Sequence, residues 1–365
     1  MPGVEPGRFL FVTWEGGGNL TPLLGLGTQL TARGHAVDVL GRASLRDRMT
    51  RAGLGFVPQR SDGWIPDATD VLGAVEASPP DALVVDFMVP RALCAAERLA
   101  LPTAALVHTL YAPVADNSFP AIEMDAGVDE VNGLRTELGL AAVGRVVDLL
   151  DNVHVILAVT TPGFDGPAAV VHPHTRYVGP VLEDARGTNW APPMPLEDSR
   201  PLVVVSMGTT PMDEQPVLQR VLDALGGLPV RVLVQVGTHL SADAFAVPAN
   251  AAVTGYVPHA AVLPHAALVV THAGLGTVSA ALACGVPLVC LPLGRDQPLN
   301  AARVDAVGAG RVVPPDAPAD TITAAVTDVL DTARYRDAAQ RQAADVARAH
   351  DEGLAVAAVE ELLAG

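Results

Sequence analysis

No lysine occurs among the 365 residues: all 23 basic side chains are arginine, set against 40 acidic ones, and the formal net charge is −17. A chain so acidic repels nucleic acid and anionic lipid surfaces, which excludes both as partners over any extended face. Aromatic side chains make up only 4%, so a core is built from Val, Leu and Ala, within the half of the residues that are hydrophobic. The three cysteines, Cys94, Cys284 and Cys290, are odd in number and lack metal-ligand spacing. They read as buried, inert thiols in a reducing cytoplasm rather than as disulfides or a metal site. No apolar run approaches the roughly 18–20 residues that a membrane helix needs. The opening MPGVEPGRFLF has neither a basic start nor a long apolar segment, so no signal peptide is expected and the protein is expected to be soluble.

What is there is an alternation. Short Val/Leu-rich runs (RFLFVTW at 8–14, AVDVLG at 36–41, DALVVDF at 81–87, LPTAALVH at 101–108, NVHVILAVT at 152–160) are separated by helical patterns at 21–35, 90–100 and 130–150. A polar, proline-bearing stretch then intervenes, and the alternation restarts with PLVVVSMGT at 201–209, VRVLVQVG at 230–237, ALVVTHAG at 267–274 and VPLVCLPLG at 286–294. Near-continuous apolar strands between helices are the signature of a parallel sheet covered on both faces. The length exceeds one comfortable core and suits two domains. The expected fold class is therefore α/β, with two Rossmann-like doubly wound parallel-sheet domains: 1–182, a linker at 183–200, and 201–365. The amphipathic helical stretch 334–363 closes the chain and is open to crossing back to the first domain. In such sheets ligands lie beyond the carboxyl ends of the strands, so the loops that follow strands matter most.

The most informative stretch is THAGLGTVSAALACGVPLVCLPLGRDQPLNAARVDAVGAG at 271–310. A strand ends at His272, a turn through Ala273, Gly274 and Gly276 follows, and a helix is expected to start near Thr277. The unpaired amides of a helix start carry partial positive charge and suit an anion. Beyond the next strand, Asp296 and Gln297 sit on a loop at the same edge, a carboxylate beside an amide that suits the adjacent hydroxyls of a sugar.

With SMGTT at 206–210, VTGYVPHAAVLPHAALVVTHAG at 253–274 and RYVGPV at 176–181, this stretch resembles the nucleotide-sugar signature of the GT-B glycosyltransferases of family 1. These include bacterial enzymes that decorate macrolides, enediynes and aromatic polyketides. The resemblance implies two domains facing a cleft, with the donor on the C-terminal one. By it His272 and Thr277 contact the donor diphosphate, and Ser206, Gly208 and Thr209 form a loop approaching the same phosphates. Val257 sits where the backbone meets the nucleobase, and Asp296 and Gln297 hold the sugar hydroxyls. It implies no metal and no cofactor. Many members carry a Glu three residues beyond the Thr277 position, bonding both ribose hydroxyls of a UDP donor. Ala280 stands there in this sequence, which favours a dTDP-sugar, since deoxyribose lacks the 2′-hydroxyl; as a plain alternative, Ala280 is a helix-packing residue.

The stretch WEGGGNLTPLL at 14–24 poses the other question. It follows a strand and opens a helix, but it lacks the third glycine of a dinucleotide fingerprint, and Asp38 lies inside the second strand rather than at its end. In the resembled family this loop faces the acceptor and usually carries a His that is the general base, oriented by an Asp from another strand. Trp14, Gly17 and Gly18 are aligned with that loop, and Asn19 occupies the His position. Asp86, at a strand end, matches the Asp. Asn cannot accept a proton at neutral pH, so three routes stay open: Asp86 as the base, a base from elsewhere with His108 as the best candidate, or an acceptor that needs little help. Plainer roles are a helix N-cap for Asn19, a carboxylate capping the helix at 90 for Asp86, and a satisfied histidine for His108; His259 and His265 read as packing or surface residues.

The resemblance implies inverting transfer of a (deoxy)sugar to a small lipophilic aglycone in an acceptor region of loops 14–20, 58–70, 86–90 and 108–125, with 58–75 and 111–133 irregular and lid-like. The chain is short for the family, and missing length is expected in that lid. Alternatives are a C- or N-glycosyltransferase, suggested by the lost His, and a non-catalytic auxiliary protein. A homodimer is compatible with the sequence.

Overall fold

Valine and leucine alternate their side chains across each strand, and in the first half both alternations find a core. In the strand Arg8–Val12 (β1), Leu10 and Val12 join one apolar cluster, while Phe9 and Phe11 join another on the opposite face. A strand buried on both faces reads as a continuous apolar run. The computed structural model describes residues 5–116, 118–119, 127–167, 171–182, 198–208, 211–237 and 240–364. It divides into two units: Met1–Val181 with Ala349–Gly365, and Leu182–Arg348.

The first unit holds β1, Ala36–Gly41 (β2), Gly55–Pro58 (β3), Ala82–Asp86 (β4), Thr103–Val107 (β5), Val155–Ala158 (β6) and Thr175–Tyr177 (β7) in the order β3-β2-β1-β4-β5-β6-β7. The second holds Leu202–Ser206 (β8), Arg231–Gln235 (β9), Ala251–Thr254 (β10), Leu268–Thr271 (β11), Leu288–Cys290 (β12) and Gly310–Val312 (β13) in the order β10-β9-β8-β11-β12-β13. Every pairing is parallel. Each sheet is doubly wound, and its strand order reverses between β1 and β4, and between β8 and β11. At such a switch point two loops diverge to opposite faces and leave a crevice at the carboxyl edge.

Several elements depart from the sequence reading. The helix expected over 130–150 is a helix at Val128–Glu137 and a 3₁₀ turn at Val146–Asn152; Gly139, with φ +73°, ends the first. The stretch 58–75 is only partly irregular, because helix Ala68–Ala77 begins inside it. Asp70 is the reason: its buried carboxylate accepts from the amides of Arg60, Ser61 and Asp67 and from the Ser61 hydroxyl, a cap that also fastens the preceding loop. Likewise helix Tyr111–Ala115 occupies part of 111–133. Cys94 and Cys290 are buried as expected, but Cys284 is exposed: it terminates helix Leu275–Ala283, just before Gly285 turns the chain at φ +65°.

The final helix, Leu354–Glu360, follows the left-handed Gly353 and buries Val356 and Val359 in the second cluster of the first unit. There Glu360 takes two hydrogen bonds from Arg33, at 2.6 and 2.9 Å, and lies 3.0 Å from His35 Nε2. Among the described residues no helix is long and apolar enough to cross a membrane.

Candidate functional sites

The first switch point gathers Asn19, Asp86 and His108. Asp86 is the last residue of β4, and His108 follows the last residue of the neighbouring β5. The Asp86 carboxylate is buried. Its Oδ1 accepts from the Met88 amide at 2.9 Å, and its Oδ2 accepts from Asn19 Nδ2 at 3.0 Å. His108 Nδ1 lies 3.4 Å from the same Oδ2, inside ion-pair range but not aligned as a hydrogen bond. The ring of His108 packs against Phe87, with centroids 5.2 Å apart. Nδ1 therefore faces the carboxylate, leaving Nε2 as the ring nitrogen available to a substrate.

Asn19 stands at the N-cap position of helix Leu20–Ala32, but its side chain does not cap it. Its Nδ2 reaches Thr13 Oγ1 at 3.1 Å, the Trp14 carbonyl at 2.8 Å and Asp86. The plainer role of Asn19 as a side-chain cap is thus overturned: the amide serves the carboxylate instead. Nor does Asp86 cap helix Pro90–Leu99, whose N-cap is Val89 with no side-chain bond. In the glycine run, Gly17 turns at φ +92°, and a Cβ on Gly16 would lie 2.6 Å from the Trp14 ring. Gly18 faces open space. Gly16 was not singled out by sequence because its reason, contact with an indole two residues back, exists only once the turn is formed.

The second switch point is built around His272. It follows β11 and is 9% exposed. A Cβ on Gly208 would come within 2.7 Å of its Nε2, and one on Gly274 within 2.8 Å of its ring. The imidazole is therefore sandwiched between two glycines, from the loops after β8 and β11. Burial pushes its pKa down to about 4, opposed by the nearby Glu214 and by a hydrogen bond to the Ser206 backbone. The ring is neutral at pH 7, and its bond to Ser206 ties the two loops together.

Helix Leu275–Ala283 starts two residues earlier than expected, with Gly274 as N-cap, so Thr277 is its third residue and buried. Its first-turn amides lie at Leu275, Gly276 and Thr277, and the exposed Gly276 leaves them accessible. Ala273 adopts φ +68° and is fully buried. Asn300 holds that strained turn: its Nδ2 donates to the Ala273 carbonyl at 3.0 Å and to Asp296 Oδ2 at 2.8 Å. Asn300 went unread in the sequence, although its place one helical turn after Asp296 was visible. Gln297 differs most from expectation. It is the first residue of helix Gln297–Ala306 and only 2% exposed. Its Oε1 accepts from the amides of Leu293 and Gly294, at 2.7 and 3.1 Å, and its Nε2 points to Met212 Sδ. The side chain is committed to folding its own loop rather than turned out to a sugar. Val257 is buried, 3% exposed. Thr209 and linker residues 183–197 lie outside the described residues.

Among the described residues no group of three or more His, Cys, Asp or Glu side chains is arranged to hold a metal ion.

Residues 219–361 match the family model described as the erythromycin biosynthesis protein CIII-like, C-terminal domain. The 4'-demethylrebeccamycin synthase of Lentzea aerocolonigenes is 28% identical, over 92% of this chain and 94% of its own. Among solved structures, the calicheamicin glycosyltransferase CalG4 superposes with a TM-score of 0.82 at 24% identity, covering 99% of each chain. The glycosyltransferase VinC, solved in complex with dTDP, superposes with a TM-score of 0.75 at 21% identity, covering 98% of each.

Proposed function

The chain belongs to the GT-B glycosyltransferases of natural-product biosynthesis, and from that premise we propose that it moves a sugar from a dTDP-linked donor to a hydroxyl of a small lipophilic aglycone, inverting the anomeric centre without a metal. The observation that carries the donor half is the glycine-sandwiched His272 at a switch point, directly ahead of a helix whose first amides are open. The diphosphate lies against those amides, where the helix dipole alone contributes roughly 0.3–1 kcal/mol and the direct bonds add to it. Stabilising the charge that develops on the departing diphosphate is the main catalytic contribution of this turn. Ala280, where a carboxylate would serve a ribose 2′-hydroxyl, supports a deoxyribose donor. VinC, with the same fold, holds dTDP.

The acceptor half rests on the first switch point. His108 Nε2 takes the proton as the acceptor oxygen attacks the anomeric carbon on the face opposite the diphosphate. The new bond joins that oxygen to the carbon, the bond from the carbon to the diphosphate oxygen breaks with its electron pair, and the products are an inverted glycoside and dTDP. Asp86 holds Nδ1 and stabilises the imidazolium, and Asn19 holds Asp86. The missing histidine at position 19 motivated a carbon or nitrogen acceptor, and a histidine supplied from the neighbouring strand removes that motive. Calorimetric titration of dTDP tests the donor half: the protein should bind it, and His272→Ala should lose most of that affinity, since it opens the gap between the two loops. Equal affinity in the variant would refute the assignment.

A further inference from the structure

At the carboxyl edge of the second sheet the register aligns Thr254 on β10, Gln235 on β9, Ser206 on β8 and Thr271 on β11. Partners in a parallel ladder share a face, so these four polar side chains form one rung. Two residues back, the same face carries Ala252, Leu233, Val204 and Val269, all apolar. The change from apolar to polar falls at the last rung, where doubly wound sheets meet their ligands.

Two members of the rung serve the neighbouring turn: Thr271 Oγ1 accepts from the Ala273 amide at 3.3 Å, and Ser206 binds His272 through its backbone. Gln235 serves nothing in the described chain. It is 6% exposed, and its Nε2 is buried with no hydrogen-bond partner. A valine there would continue the apolar face without leaving a donor unpaired, and an unpaired buried amide destabilises a fold. A ligand acceptor offsets that cost.

We infer that Gln235 reads the nucleobase, its Nε2 donating to the C4 carbonyl that thymine and uracil share and that cytosine replaces with an amine. This rests on the reading of this unit as the nucleoside diphosphate site. Neighbouring strands lie about 4.8 Å apart, which sets Gln235 roughly 10 Å from Thr271 and the phosphate turn. It lies on the side of β10 and the residues Gly255–Val257 that follow it. A nucleoside diphosphate spans such a distance from phosphate to base.

The test is calorimetric titration of dTDP, UDP, CDP and inorganic pyrophosphate into the wild type, Gln235→Leu, Gln235→Glu and His272→Ala. Gln235→Leu should weaken dTDP and UDP roughly five- to tenfold and leave pyrophosphate unchanged. Gln235→Glu, an acceptor in place of a donor, should shift preference toward CDP. Wild-type dTDP affinity in Gln235→Leu, with His272→Ala impaired, overturns the role of Gln235 and spares the donor site. Absence of binding by the wild type overturns both. The ligand-free thermal midpoint of Gln235→Leu should match or exceed the wild type. A lower midpoint together with lost pyrophosphate binding would make Gln235 a prop of the fold and overturn the inference.

Discussion

Both sheets place a glycine-bearing loop and a histidine at the switch point, yet the two arrangements do opposite things with charge. In the second unit the histidine is sealed between Gly208 and Gly274 and kept neutral by burial, and the open groups beside it are helix amides. That end attracts negative charge. In the first unit the glycine loop delivers Asn19, whose amide donates to the buried carboxylate of Asp86, with His108 on the other side of the same oxygen. That end accepts a proton. One topology thus yields an anion cradle or a base, depending on whether the strand after the reversal ends in a backbone turn or in an acid.

The largest effect should come from removing the acid. Asp86→Asn sets an amide against the amide of Asn19 and leaves His108 without its partner, so turnover of a hydroxyl acceptor should fall by roughly 10²–10⁴, the usual worth of general-base catalysis. His108→Gln should fall by a similar factor. Donor affinity should be unchanged in both, because the change lies in the other unit. A phenol of low pKa, such as 4-nitrophenol, should be less sensitive than an aliphatic alcohol. Equal losses with both acceptors would assign these residues to folding rather than proton transfer.

The next effect sharpens the contrast between the histidines. His272 stays neutral in the folded protein down to about pH 4, against 6.5 when unfolded. Between those values the unfolded chain binds the proton and the folded one does not, so stability falls as pH drops through that window and changes no further below it. The two limits differ by about 3 kcal/mol. Urea unfolding of the wild type and His272→Gln at pH 7, 5 and 4 measures it: the wild type should lose more stability than the variant. A parallel decline would mean the ring is not held neutral.

The sequence showed the central strands and concealed the edges. β3, β7, β10 and β13 each border a sheet and none is fully buried, so they lack the continuous apolar run that marks β1, β4, β8 and β11. Asp86 and His108 were each visible as a residue at the end of an apolar run. They read as alternatives because nothing local says that β4 and β5 are neighbours; register joins them. Gln297 was misjudged for a related reason. A residue type that suits a sugar also suits two stray loop amides, and only the fold shows which it meets. Asn300 escaped notice because its partner, the Ala273 carbonyl, lies 27 residues away.

The smallest effects lie among the glycines and separate space from conformation. Gly208 has φ +85° and faces His272, so Gly208→Ala combines left-handed strain with a close contact to a ring held on its other side. It should cost roughly 2 kcal/mol of stability and weaken dTDP. Gly18 is exposed, is not in the left-handed region and would place its Cβ in open space. Gly18→Ala should therefore leave stability within about 0.5 kcal/mol of the wild type. If the loop is the acceptor floor, the added methyl should raise the KM for a bulky acceptor and leave dTDP affinity alone. Thermal melts combined with acceptor titrations decide this. A Gly18→Ala protein that folds normally and shows an unaltered KM for every acceptor would remove that glycine from the site and leave Gly16 and Gly17 as parts of a turn.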